Sequence, residues 1–342
     1  MTKLAKTNRV VVYHDETKDV PGENLKGHVL LFVPETLEVC ETTPLFDSSR
    51  SVYNPGRIFY NEILRIRENH KCGWKLHFAD IGGNKWSKHD QVALEVVTLA
   101  VEAMRTKDVH PPLKQPLAFK LAVMFYPKGA DLTLYGGDTR KEKRLRHDET
   151  VLRILLKGAA HFLYSEENRV EVLRIVCDGK PEHRPFSGKR ILWQLLAEED
   201  RGRTPLRNYV SLNPNAVIEH LLSDHKRYEP GSPEHIHANF LQVADLLLGA
   251  VRYSCYRGIR TISRVPRIGE ECTEKRSSIS APVWEMLRKV ERGPGFKHSG
   301  HYRTFTIGQV EFEDDQIIFK PLGVKHAAVN DSRTMELLFD GP

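Results

Sequence analysis

Three aspartates are the residues in this chain best placed to act together. Asp15 closes the run RVVVYHDE at 9–16, Asp178 closes VEVLRIVCD at 170–178, and Asp245 sits inside ANFLQVADLLLGAVRY at 238–253. Carboxylates drawn from distant positions suit hard divalent cations such as Mg²⁺ or Mn²⁺, which take oxygen ligands and retain several waters. Two such ions about 3.5–4 Å apart can activate a water and stabilise a leaving oxygen in phosphodiester hydrolysis, with no side-chain nucleophile.

Each acid also has a plainer role open to it. Strand-end acids are commonly solvated, and Asp178-Gly179 is a turn-forming pair. Asp245 is the most informative of the three. Leu241, Asp245, Leu248 and Arg252 share one helical stripe. A carboxylate on a buried stripe has to be paired, hydrogen-bonded or metal-bound, because an uncompensated buried charge costs several kcal/mol. The salt-bridge partner would be Arg252 on the same stripe or another basic residue. Glu16 follows Asp15, but side chains alternate across a strand. Val11, Tyr13 and Asp15 therefore share one face, and Val12, His14 and Glu16 the other. Glu16 is a fourth ligand only if the strand kinks there.

These residues need elements to carry them. Residues 9–16, 27–34 and 37–42 read as three short-linked strands, an antiparallel meander. Strands are expected at 74–79, 117–126, 170–178 and 208–212, and helices at 56–69, 87–105, 147–165, 187–199, 214–222 and 237–257. Residues 130–146, polar and basic, read as a loop. Alternating strands and helices after a meander predict an α/β fold: a mixed sheet, antiparallel first and then parallel, with helices on both faces. The main domain is expected over 9–258. A basic C-terminal appendage is expected over 259–342, with a β-hairpin around Asp314-Asp315.

Composition sets outer limits. The 342 residues are 40% hydrophobic, enough for a sizeable core, and the formal charge of +6 suits a polyanionic partner. Five cysteines, an odd number with no CxxC pair, argue against a disulfide framework and for reduced thiols in a cytoplasmic protein. The N-terminus lacks the apolar core of a signal peptide, and no apolar run of 18 residues suggests a membrane span. Gly82-Gly83 and Gly136-Gly137 lack the Lys-Ser/Thr continuation of a phosphate-binding loop.

YHDET at 13–17, KLHFAD at 75–80, IVCDGK at 175–180 and FLQVADLLLGAV at 240–251 resemble the motifs of the domain of unknown function 3800 family. The resemblance runs from about residue 9 to 257 and is most specific in the late helix. It implies an RNase H-like fold and a metal-dependent nuclease with Asp15, Glu16, Asp178 and Asp245 as catalytic, metal-binding acids. The chain departs from the family pattern in three places. Thr17-Lys18 stand for Ser-Gly, Val243 for Leu, and Lys75 for an acid.

Further candidates surround this core. His77 and His237 are accessory candidates, His77 by approaching the site and His237 by assisting proton transfer, though a half-buried strand histidine or a helix-entry histidine is more often structural. Arg144 and Arg146, a cluster at Arg201, Arg203 and Arg207, and the run Arg252, Arg257, Arg260 and Arg264 are candidate phosphate contacts. The expected activity is two-metal hydrolysis of nucleic acid, with RNA favoured over DNA by analogy with the fold. The rival expectation is an RNA-binding or assembly subunit on the same fold, with little or no cleavage and a protein or structured-RNA partner.

Overall fold

The computed structural model describes residues 6–17, 24–40, 50–105, 109–128, 136–165, 167–180, 185–186, 191, 209–257, 259, 265–291, 304–313 and 316–322. Its centre is a seven-stranded mixed sheet. The strands are β1 (Lys6–Glu16), β2 (Leu25–Pro34), β5 (Lys120–Pro127), β6 (Asn168–Asp178), β7 (Val210–Leu221), β8 (Phe305–Glu313) and β9 (Gln316–Pro321), in the order β7-β6-β1-β2-β5-β8-β9. β1, β2 and β5 run antiparallel in turn. β6 lies parallel to β1, and β7 parallel to β6. β3 (Leu37–Cys40) does not join this sheet. It pairs with β4 (Arg50–Tyr53) in a separate ribbon, so β5 is the third strand of the antiparallel part.

Alternation along β1 divides the core. Val10 and Val12 pack under α3 (Arg140–Leu163) on one face of the sheet. Tyr13 packs on the other face with α1 (Pro55–Asn69), α2 (Lys88–Ala103), α4 (Pro233–Tyr256) and α5 (Lys275–Glu291). α4 lies directly against β1 and β2, while α2 and α5 pack on its outer side. That position explains why α4 is apolar nearly all round. Between Leu241 and Ala250 only Asp245 and Gly249 are not fully buried.

Four expectations change. Residues 140–146 are the first turns of α3, not loop, because Thr139 and Glu142 form a reciprocal capping box. The expected strand at 208–212 and helix at 214–222 are one strand, β7. Pro214 falls where the β6–β7 register slips, a place in the ladder that tolerates a missing N–H. The segment 74–79 is extended but unpaired and ends in a 3₁₀ turn at Phe78–Asp80. The expected boundary at residue 258 does not separate the layers. β8 pairs with β5, and Ile279, Val283 and Leu287 of α5 belong to the main core. The two strands of the expected C-terminal hairpin pair as β8 and β9, but its turn at Asp314-Asp315 lies outside the described residues, as does the expected helix at 187–199 apart from Ile191.

Cys72, Cys177, Cys255 and Cys272 are buried. Among the described residues, no helix is long and apolar enough to cross a membrane. A chain ended at residue 258 would expose the β5 edge and the outer face of α4. It should lose its near-ultraviolet circular dichroism and bind a hydrophobic dye at neutral pH, while a truly separate appendage would leave both unchanged.

Candidate metal centre

Asp15 and Asp178 end adjacent parallel strands. The β1–β6 register pairs Val11 with Arg174, Tyr13 with Val176 and His14 with Cys177. Asp15 and Asp178 therefore continue the row that faces α4. Asp245 comes to the same place from α4.

Each carboxylate is held differently. Asp178 Oδ1 accepts the Ser223 backbone N–H at 2.8 Å, and Oδ2 accepts the Ser223 hydroxyl at 2.9 Å. Asp245 Oδ2 accepts His77 Nδ1–H and the Phe78 backbone N–H, each at 2.7 Å. Asp15 Oδ1 accepts the following backbone N–H, of Glu16, at 2.7 Å. Asp15 Oδ2 and Asp245 Oδ1 accept no hydrogen bond among the described residues. Asp245 is thus compensated by His77 and Phe78, and no Arg252 salt bridge to it is found among the described residues.

The three acids share a field. Burial pushes the Asp15 carboxyl well above the usual carboxylate range, and the charges of Asp245 and Asp178 push it further. The Glu16 N–H opposes this, and the Glu16 charge adds to it weakly. Among the described residues, no group of three or more His, Cys, Asp or Glu side chains already stands at metal-ligand spacing. The donor chemistry nevertheless fits a hard cation. Three carboxylates converge, two of them keep an oxygen without a hydrogen bond, and their mutual repulsion favours any added positive charge.

Glu16 is not part of this group. The strand stays extended through it, and its carboxylate lies on the opposite face, 3.9 Å from His28 Nε2. There His28 also bonds His14 and Tyr126, under α3.

Asp245 opens into a cleft of about 620 Å³. Thr17, His77, Phe78, Arg252, Tyr253, Arg257 and Arg276 are among its lining residues, and Asp245 is the one acid among them. Arg252 and Arg257 thus lie beside the aspartate. Arg144 and Arg146 lie elsewhere, exposed on α3, which covers the far face of the sheet. Arg260, Arg264 and the cluster Arg201, Arg203 and Arg207 lie outside the described residues. His237 lies beside Tyr13, whose hydroxyl is 2.9 Å from its Nδ1, and does not line the cleft. Burial holds its pKa down.

Two buried features hold the site together. Gly249 leaves room for Phe78. A Cβ there would stand 2.1 Å from the ring, so α4 and the 77–80 turn can approach only at a glycine. Gln242 is one turn before Asp245 and fully buried. Its carbonyl accepts from Leu76 N–H and Arg67 Nη2, and its amide donates to the Ser223 carbonyl and His225 Nδ1. The amide therefore fastens the segment carrying His77 to the one carrying Ser223. Burial, with the charges of Arg67 and His235, pushes His225 down to about 4, so it stays neutral and accepts. No sequence pattern marks this role. Gln242 was visible there only as part of a motif.

Comparison with family models, curated proteins and solved structures finds no match for the chain.

Two outcomes follow from this geometry. Gln242→Met leaves Leu76 N–H and the Ser223 carbonyl without partners, and should cost about 2–4 kcal/mol in urea unfolding. Asp15 has a folded pKa above its unfolded value of about 3.9. Its favourable contribution is complete below that value and is lost as pH rises through the folded pKa. Asp15→Asn should therefore raise the melting temperature by about 2–4 °C at pH 8, with the gain shrinking towards pH 4. Added Mn²⁺ should stabilise the wild type and not the variant.

Proposed function

We propose that this chain is a divalent-metal-dependent nuclease of RNase H-like fold, related to the domain of unknown function 3800 family that its motifs resemble. The observation that carries this reading is the convergence of Asp15, Asp178 and Asp245 on one sheet face beside a basic cleft. The sheet supports it further. β1, β2 and β5 alternate in direction as a meander on one side of β1, with β8 and β9 beyond them, and β6 and β7 run parallel to β1 on the other; the β5-β2-β1-β6-β7 part is the arrangement expected of such a fold.

Asp15, Asp178 and Asp245 would hold Mg²⁺ or Mn²⁺, with Asp245 using its free Oδ1. When bound, such ions supply an activated water and charge stabilisation for the leaving oxygen. The remaining work belongs to the chain. Asp245 accepts only, so His77 carries its proton on Nδ1, and Nε2 is the ring nitrogen able to exchange a proton in the cleft. Arg252 and Arg257 bring positive charge to the substrate backbone. RNA is favoured over DNA by analogy with the fold alone.

The second reading, a nucleic-acid-binding or assembly subunit without cleavage, is favoured by one observation: among the described residues, no three His, Cys, Asp or Glu side chains stand at ligand spacing. The test is the same for both. Labelled single-stranded, duplex and hybrid substrates are incubated with Mg²⁺, Mn²⁺ or chelator. Cleavage should need metal and fall more than about hundredfold in Asp245→Asn, since even outer-shell changes cost 10–100-fold, with binding retained. Binding without cutting under every metal condition would establish the second reading.

A further inference from the structure

We infer that Arg276 anchors a phosphate of a nucleic-acid strand in the cleft beside Asp245. The inference rests on the nucleic-acid part of the reading above and adds a residue that neither motif nor basic run singled out.

Arg276 belongs to the first turn of α5 and is exposed, yet it is fixed in place. Its Nε donates to the Ile81 carbonyl and its Nη2 to the Ala79 carbonyl, each at 3.0 Å. Its guanidinium also lies 6.0 Å from the centre of the Phe78 ring. An exposed arginine normally keeps about 2 kcal/mol of rotamer entropy; here the two carbonyls hold the guanidinium in place and leave its charge without a counter-charge among the described residues. Arg9, Arg65, Arg105, Arg174, Arg227 and Arg288 each sit against a carboxylate. Arg276 has none among the described residues, and both its partners are neutral carbonyls. Its neighbour Lys275 differs, being buried and neutralised by Asp90 at 2.8 Å.

The surroundings indicate the ligand. Arg276, Arg252 and Arg257 line a cleft in which Asp245 is the single acid among the described residues. Gly82 and Gly83 line it too, and neither backbone N–H donates a hydrogen bond among the described residues. A held guanidinium with open amide donors near it suits a tetrahedral oxyanion. Phe78 and Tyr253 give the same cleft aromatic surface on which a base can stack. Phosphate and base surfaces side by side favour a strand over a free anion or an acidic peptide.

The test uses the full chain in chelator, which separates binding from cleavage. A fluorescein-labelled single-stranded oligonucleotide is titrated between about 50 and 200 mM KCl. Arg276→Gln should weaken binding about tenfold and lower the salt slope by about 0.7. Arg276→Lys should keep the slope, and Arg65→Gln should behave as the wild type. The inference is overturned if Arg276→Gln matches the wild type in affinity and slope, or if the wild type binds no oligonucleotide. It is also overturned if inorganic phosphate, a mononucleotide or poly-glutamate competes as well as unlabelled oligonucleotide. Cleavage by a wild type whose binding ignores Arg276 would sink this inference alone. Arg276-dependent binding without metal-dependent cleavage would sink the nuclease reading alone.

Discussion

The carboxylate of Asp245 sits on a helix enclosed between other layers, and its compensation organises what lies near it. α4 is sandwiched between the sheet and the helices α2 and α5. A charge there needs donors, and these come from a turn distant in sequence, as His77 Nδ1–H and the Phe78 N–H. Bringing that turn close enough puts the Phe78 ring across the helix, which requires Gly249. The turn then needs support from outside, which Arg276 gives through the carbonyls of Ala79 and Ile81, and Lys275 through that of Gly82. One buried charge thus fixes a backbone turn, a glycine and the docking of α5.

This chain of dependence explains why residues beyond 258 belong to the same structure. α5 closes the cleft as well as completing the core. Lys275 illustrates the coupling. Its ammonium meets Asp90 at the start of α2 and the Gly82 carbonyl in the cleft wall. A buried pair of this kind adds little net stability, but its loss leaves a buried charge uncompensated. Such a pair specifies position more than it strengthens the fold, and here the position specified is that of the cleft wall.

How much of this was legible in the sequence depended on the range of the interaction. Strand period placed Asp15 and Glu16 on opposite faces, and they are on opposite faces. Helical spacing marked Asp245 as a charge needing compensation. What it could not supply was the partner, because Arg252 is a neighbour in sequence and His77 is a neighbour only in the fold. β7 was misread because NAVIEHL fits a helical stripe as well as a strand, and pairing with β6 decides between them. α5 was missed because Pro282 and its serines hide the apolar stripe of Ile279, Val283 and Leu287. The first turns of α3 were missed because they are polar, although Thr139 and Glu142 carried the capping signal.

The site also departs from what folding alone would select. Sequence, packing and hydrogen bonding agree through most of the core, and disagreements between these levels tend to fall at functional positions. Asp15 is such a disagreement. It is buried, accepts one hydrogen bond from its own neighbour, and faces two further carboxylates that raise its pKa. An asparagine would fill the same space without the repulsion. Nearby arginines do not relieve the strain, since none pairs with these aspartates among the described residues, and Arg276 is turned towards neutral carbonyls. Positive charge in the cleft and negative charge at the strand ends therefore lie near one another without pairing among the described residues. On the reading proposed above, that separation would serve two ligands, a cation at the aspartates and a phosphate at Arg276. A nucleic-acid strand bound with its counter-ions brings both at once.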